Sequence, residues 1–332
     1  MKKLHLHIGS GKTGTTSIQE IFFANNKKLN AQGFNYPGQS SEQHMLYFAS
    51  KAPQEHWART YKGIERDKLQ QAVNRFFEIM TRDFQTDHQH IISTEYLFIN
   101  EKEYVGNIVE FLNEYFTDVK VYLFVREPVG FYRSHQQQIL KARSFIASPY
   151  TYKYDFRGVI EAWSDFFDVE VIKYSKQKNS CEELCRRIGI DFAPLSQGTK
   201  RTKASVSIEQ MALLEKIQQN FYTHIDDQLN GKLHLKIIPR IQAGFTSKPK
   251  LKEWVRSVVY ENHRKDLEWL KEEYGIEFPV NSVQESTESA PAFQNGKATV
   301  RDIYQVQNEE TVQRYEAMVV DSLLKKLLEK TS

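Results

Sequence analysis

Only two of the 332 residues are cysteine, Cys181 and Cys185, and they stand four apart in a helix-like segment. That spacing does not indicate a disulfide framework, and the pair reads as two small residues on one helix face. A reducing, cytoplasmic setting is the expectation that follows. Long apolar runs are also missing, and none approaches the ~20 residues a membrane helix needs. The opening stretch MKKLHLHIGSGKTG has two early lysines in the manner of an export signal. Its apolar part is broken by His5 and His7 and stops at Gly9, so it reads as a strand. A dominant charge is lacking too: 45 Lys+Arg face 42 Asp+Glu, and the net +3 is too small to argue for a nucleic-acid partner. There is no internal repeat and no extended low-complexity tract.

What the chain does have is material for a core. Hydrophobic residues make up 40% and aromatics 13%, which excludes disorder over most of its length. Strand and helix signals alternate through the first half. Strands are expected at Lys3–Ile8, Gly33–Tyr36, His90–Ser93, Val119–Val125 and Asp168–Tyr174. Helices are expected at Thr15–Leu29, Glu42–Lys51, Glu65–Arg82 and Glu101–Tyr115, with another opened by Pro128. Strands separated by helices imply crossover connections and a parallel sheet covered on both faces. From about Ser205 the pattern becomes mostly helical, at Ile208–Asn220, Leu251–Tyr274 and Glu310–Lys330, with a polar loop, NSVQESTESAPAFQNGK, before the last. The expected fold is therefore α/β, a parallel sheet flanked by helices plus a helical C-terminal portion. One domain over 1–332 is expected, with an α/β core at 1–195 and the helical portion at 196–332.

The segment His7-Ile-Gly-Ser-Gly-Lys-Thr-Gly-Thr-Thr16 follows a strand and opens a helix. A glycine-rich turn there lets backbone N–H groups face an anion, and the helix dipole adds partial positive charge. Lys12 contributes a full charge, and Thr13, Thr15 and Thr16 contribute hydroxyls. Gly9, Gly11 and Gly14 spell the dinucleotide fingerprint, but the acidic residue it wants about 20 positions later is missing from GFNYPG. Gly11-Lys12-Thr13 fits the end of an NTPase loop, whose first glycine would fall on Leu6. An NTPase or kinase also needs a carboxylate for magnesium, for which Glu95 is the available residue.

The same segment resembles the 5′-phosphosulfate loop of the sulfotransferase family, in the form H-I-G-x-x-K-T-G-T-T-S-[IL]-Q found in its bacterial carbohydrate-modifying branches. Every fixed position of that form is met by HIGSGKTGTTSIQ. A second family signature binds the 3′-phosphate: a strand ending in Arg, then Pro, with Ser eight residues past the Arg. Here VYLFVREPVGFYRSH supplies Arg126, Pro128 and Ser134. Guanidinium suits phosphate on its own chemistry, through two parallel N–H bonds. A weaker similarity extends through VEVIKYSK and CEELCRRIGID to Lys200–Ser207, so the resemblance covers about residues 1–210. Lys203 stands where relatives often have Asn.

The resemblance implies a transferase that binds 3′-phosphoadenosine 5′-phosphosulfate and sulfates a hydroxyl or amine, on a glycan or glycolipid precursor. It implies a P-loop-like cradle of Gly11, Lys12, Thr13, Gly14, Thr15 and Thr16 for the 5′-phosphosulfate. Arg126 and Ser134 are implied for the 3′-phosphate, with Lys200 and Arg201 in a basic loop closing over the nucleotide. Lys12 is expected to offset charge on the bridging oxygen as its bond to sulfur breaks. Glu95, ending the strand HIISTE, is the candidate base, and His44 is its rival. Lys12, Glu95 and Arg126 each follow a strand, and in a parallel sheet such ends line one crevice. Lysine and backbone dipoles suffice for sulfuryl transfer, so no metal is expected. His5 and His7 share a strand face, where packing or hydrogen bonding is their expected role. A nucleotide-binding relative without catalysis remains the alternative from another class, beside the NTPase or kinase.

Overall fold

The computed structural model describes residues 2–57, 61, 63–141, 145–196, 206–221, 247–279, 297–306 and 308–331. Lys200, Arg201 and Lys203 lie outside the described residues, as does most of the polar loop at 281–297. The chain divides into two compact units. One holds Met1–Glu127, Asp155–Arg201 and Leu270–Ile276, and the other holds Pro128–Tyr154, Thr202–Trp269 and Glu277–Ser332. Among the described residues no helix is long and apolar enough to cross a membrane.

The first unit is built on five parallel strands: β1 (Lys3–His7), β2 (Phe34–Asn35), β3 (Gln89–Ser93), β4 (Asp118–Val125) and β6 (Asp168–Lys173). Their order is β2-β3-β1-β4-β6. The middle strands are buried on both faces, as a parallel sheet with two helical coats requires. Helices α1 (Thr15–Ala24) and α7 (Ser180–Ile188) cover one face. Ile18, Ile21 and Phe22 there share a core with Tyr122, Phe124, Ile172, Cys181, Leu184 and Cys185. Both cysteines are free and buried in that core, and burial pushes the Cys181 thiol well above its ordinary range. By strand alternation Val121, Leu123 and Val125 turn to the opposite face. Helices α4 (Lys102–Asn113) and α6 (Phe156–Ser164) pack on each other, and α6 packs on β4 and β6.

Two expected helices take other forms. The run Thr15–Leu29 breaks into α1 and the short α2 (Asn26–Asn30). The break falls at Asn25, whose side-chain amide donates to the Ile21 carbonyl at 2.9 Å and to the Leu195 carbonyl at 3.3 Å, beside its own backbone N–H on Ile21 at 3.1 Å. Glu42–Lys51 becomes a 3₁₀ helix over His44–Ser50, and it stops at Lys51, whose φ is 55°. Helix α3 (Arg66–Asp83) starts on a cap from Glu65, whose carboxylate accepts from the Asp67 N–H.

The second unit contains α5 (Pro128–Leu140), α8 (Ile208–Phe221), most of α9 (Glu253–Tyr274), α10 (Val300–Ile303) and α11 (Glu309–Thr331). Helix α8 is its centre, with Ile208, Met211, Ala212, Leu213 and Leu214 buried, and α5, α10 and α11 pack around it. A two-residue antiparallel pair, β5 (Ile146–Ala147) with β7 (Lys297–Ala298), completes the unit. Thr299 and Asp302 form a capping box that starts α10.

Candidate functional site

The sheet order fixes where a ligand goes. From β1 the chain crosses toward β2, and from β4 it crosses toward β6 on the other side. The connections part between β1 and β4, and a parallel sheet opens its crevice at such a point, beyond the carboxyl ends of the strands. The loop after β1 runs from Ile8 to Gly14, and Arg126 follows β4 directly.

That loop is held with its carbonyls satisfied by side chains. Thr13 Oγ1 donates to the Ser10 carbonyl at 2.6 Å, and Thr15 Oγ1 does so at 3.4 Å. Arg126 Nη1 donates to the Lys12 carbonyl at 2.8 Å, and Ser180 Oγ donates to the Thr13 carbonyl at 2.7 Å. Ser10 Oγ in turn donates to the Phe124 carbonyl at 3.1 Å. With carbonyls tied on one side, a turn of this kind presents its N–H groups on the other. Helix α1 follows with no side-chain cap and no acidic residue in its first turn. Its orphan N–H groups and the positive end of its dipole are thereby available to an anion.

Two glycines are required here for steric reasons. A Cβ on Gly9 would fall 2.3 Å from His7 Nε2, and one on Gly14 would fall 2.8 Å from Ser180 Oγ. Gly14 also has φ 94°, which glycine adopts freely. Lys12 takes φ 65° with a side chain attached. Gly11 and Lys12 are half-buried, as is Thr16. Thr13 is fully buried and its hydroxyl is committed to Ser10, so an anion would meet its backbone rather than its side chain.

Arg126 is only 7% exposed, and its guanidinium lies 5.3 Å from the centre of the Tyr174 ring. Its planar guanidinium carries five N–H donors, one of which is given to the Lys12 carbonyl. Ser134 stands half-buried on α5, in the second unit.

Glu95 and His44, rivals in the sequence, stand together. His44 Nε2 is 3.9 Å from Glu95 Oε1, in ion-pair range but too far for a hydrogen bond. His44 Nδ1 is hydrogen-bonded to Thr94 Oγ1 at 3.0 Å, and its ring stacks on Tyr96 at 4.2 Å between centroids. Glu95 Oε2 accepts from Gln19 Nε2 at 3.1 Å. Hydrogen bonds from two backbone N–H groups hold the segment just before Glu95. The Thr94 N–H donates to the His7 carbonyl at 3.0 Å, and the Ser93 N–H donates to Gln43 Oε1 at 2.7 Å. Gln43 itself is buried and its amide donates to the Pro37 carbonyl.

His5 and His7 hold the strands together. His5 bonds Tyr122 at 3.0 Å and Gln89 at 2.9 Å, and His7 Nδ1 bonds Ser93 Oγ at 2.8 Å. Burial holds the His7 imidazole down at about 3, well below the ordinary histidine range. Among the described residues no group of three or more His, Cys, Asp or Glu is arranged to hold a metal ion.

Sequence reasoning missed Ser180, Gln43 and Tyr174. Ser180 is 167 residues from the carbonyl it serves, and nothing local marks it. Gln19 was visible as the last position of the loop pattern, without its partner.

No family model matches the chain, and no curated protein matches it. Among solved structures, the chain is similar to a sulfotransferase domain from the curacin biosynthetic pathway. The likeness covers 79% of this chain and 98% of that one, at 15% identity and a TM-score of 0.31. A likeness at that level says nothing of substrate or mechanism.

Proposed function

We propose that the chain transfers a sulfuryl group from 3′-phosphoadenosine 5′-phosphosulfate to a hydroxyl or amine on a glycan or glycolipid. The observation that carries this reading is the bond between the two loops. Arg126, the expected 3′-phosphate ligand, is tied to the carbonyl of Lys12, the expected partner of the 5′-phosphosulfate. One nucleotide with phosphates at both positions suits that pairing. Glu95 faces an amide N–H and an imidazole, a setting that fits a proton acceptor better than a magnesium ligand.

In this mechanism Glu95 takes the proton from the acceptor hydroxyl, with His44 Nε2 3.9 Å from its Oε1. The acceptor oxygen forms its bond to sulfur as the bond from sulfur to the bridging oxygen breaks. The electron pair leaves with the 5′-phosphate of adenosine 3′,5′-bisphosphate, and Lys12 and the α1 dipole offset its growing charge. Half-buried Tyr96, Phe48 and Trp57 pack in one cluster beside this pair, an aromatic surface that suits the apolar face of a sugar ring.

The test is a thermal-shift comparison of adenosine 3′,5′-bisphosphate with AMP and with magnesium-ATP. Ligand at 100 times its dissociation constant stabilises by about 2.7 kcal/mol, an easily read shift. The bisphosphate is expected to bind best, and Arg126→Ala to weaken it far more than AMP. A larger shift with magnesium-ATP supports the NTPase reading instead.

A further inference from the structure

Gln19 is 2% exposed, a rare place for a primary amide. It lies on the inner side of α1, four residues after Thr15, in the helix that the phosphate loop opens. One amide nitrogen carries two hydrogens, and Gln19 Nε2 has two acceptors: the Ser93 carbonyl at 3.0 Å and Glu95 Oε2 at 3.1 Å. The first bond fixes the amide against the end of β3. The second fixes one oxygen of the carboxylate, which leaves Oε1 on the side of His44 Nε2.

We propose that Gln19 is a positioning residue for Glu95, aiming its free oxygen at the acceptor and joining that aim to the helix that holds the donor. The proposal rests on the sulfuryl-transfer reading, in which Glu95 is the base. A carboxylate can turn about its last bond, and the Gln19 amide holds one of its oxygens so that the other faces His44 Nε2. Gln19 removes that freedom before the acceptor arrives. The loop that binds the donor and the group that accepts the proton are then parts of one rigid piece, from Gly14 through α1 to Glu95.

Gln19→Met keeps the length and packing of the side chain and removes both donors. The variant is expected to lower kcat roughly 10–100-fold while the KM for acceptor and the binding of adenosine 3′,5′-bisphosphate change less than about threefold. A purely structural role would damage binding, stability and kcat together. The deciding measurement is a double-mutant cycle with Glu95→Gln. In the Glu95→Gln background, Gln19→Met is expected to cost less than about twofold in kcat, because no base is left to aim. An equal loss in both backgrounds overturns the proposal while leaving sulfuryl transfer standing. A bisphosphate affinity that falls as far as kcat also overturns it. A wild-type chain that consumes no donor sinks the sulfuryl-transfer reading and this proposal with it.

Discussion

Lys12 holds a left-handed backbone with φ 65°, which costs a residue with a side chain of order 1–3 kcal/mol. Such a position is natural for glycine, so the lysine stands there against the local preference. Arg126 is one of the contacts that hold it, through the Lys12 carbonyl. Lys12→Gly and Lys12→Ala therefore separate strain from charge. Both variants are expected to lose turnover by a larger factor than they lose bisphosphate binding, since the charge matters most as the bridging oxygen becomes anionic. Only Lys12→Gly is expected to melt no lower than wild type. Parallel kinetics and melting curves check both points, and unchanged turnover at saturating donor in either variant removes Lys12 from the chemistry. At this scale much of the site was legible, because Gly9, Lys12, Gly14 and Gln19 sit within one short pattern. The duties of the threonines were not. A hydroxyl in a sequence is equally a ligand donor or a partner for a nearby carbonyl, and Thr13 is the latter.

Helix α7 is tied to the loop after β1 by Ser180, at its first position. Asn179 caps the helix by accepting from the Cys181 N–H, so the Ser180 hydroxyl is left to the Thr13 carbonyl. Ser180→Ala leaves that carbonyl without its donor. A net hydrogen bond is worth about 1 kcal/mol, so bisphosphate affinity is expected to fall roughly fivefold in a calorimetric titration. Unchanged affinity would mean the loop keeps its shape without α7. The main elements themselves were readable from periodicity: every strand of the large sheet lies within two residues of its expected span. Helix α6 was overlooked, although Phe156, Val159, Ile160 and Trp163 follow helical spacing. The pairing of β5 with β7 was beyond reach, since two-residue strands carry no period and stand about 150 residues apart. The break at Asn25 needed Leu195, a partner far along the chain.

Across the whole molecule, buried ionisable groups give stability a readable pH dependence. Glu215, 3% exposed, accepts from the Val300 N–H at 2.7 Å, and burial raises its carboxyl from 4.5 to about 7. Between those values the folded chain keeps a proton that the unfolded chain has lost, so its contribution to stability falls as pH rises from 4.5 to about 7. The size is on the order of 3 kcal/mol. Glu215→Gln keeps the acceptor for Val300 and is expected to remove that slope, raising stability in the second unit above pH 7. Denaturant titrations at pH 5 and pH 8 check this, and an unchanged slope contradicts it. In the first unit the effect is opposite. His7 is held at about 3 and His90 at about 4, chiefly by burial. Acid protonates these residues first in the unfolded chain, so their contribution is complete above 6.5 and is lost as pH falls toward those values. The Glu215 shift was not legible in the sequence, where nothing local marks that helix glutamate as buried.

Sulfuryl transfer is tested most directly by following a radiolabelled sulfuryl group from 3′-phosphoadenosine 5′-phosphosulfate to a panel of glycan and glycolipid acceptors, with a metal chelator present. The expected result is label in an acceptor, one adenosine 3′,5′-bisphosphate released per group transferred, and loss of transfer in Lys12→Ala. An intact donor across the whole panel would contradict the account, as would activity that Lys12→Ala leaves untouched.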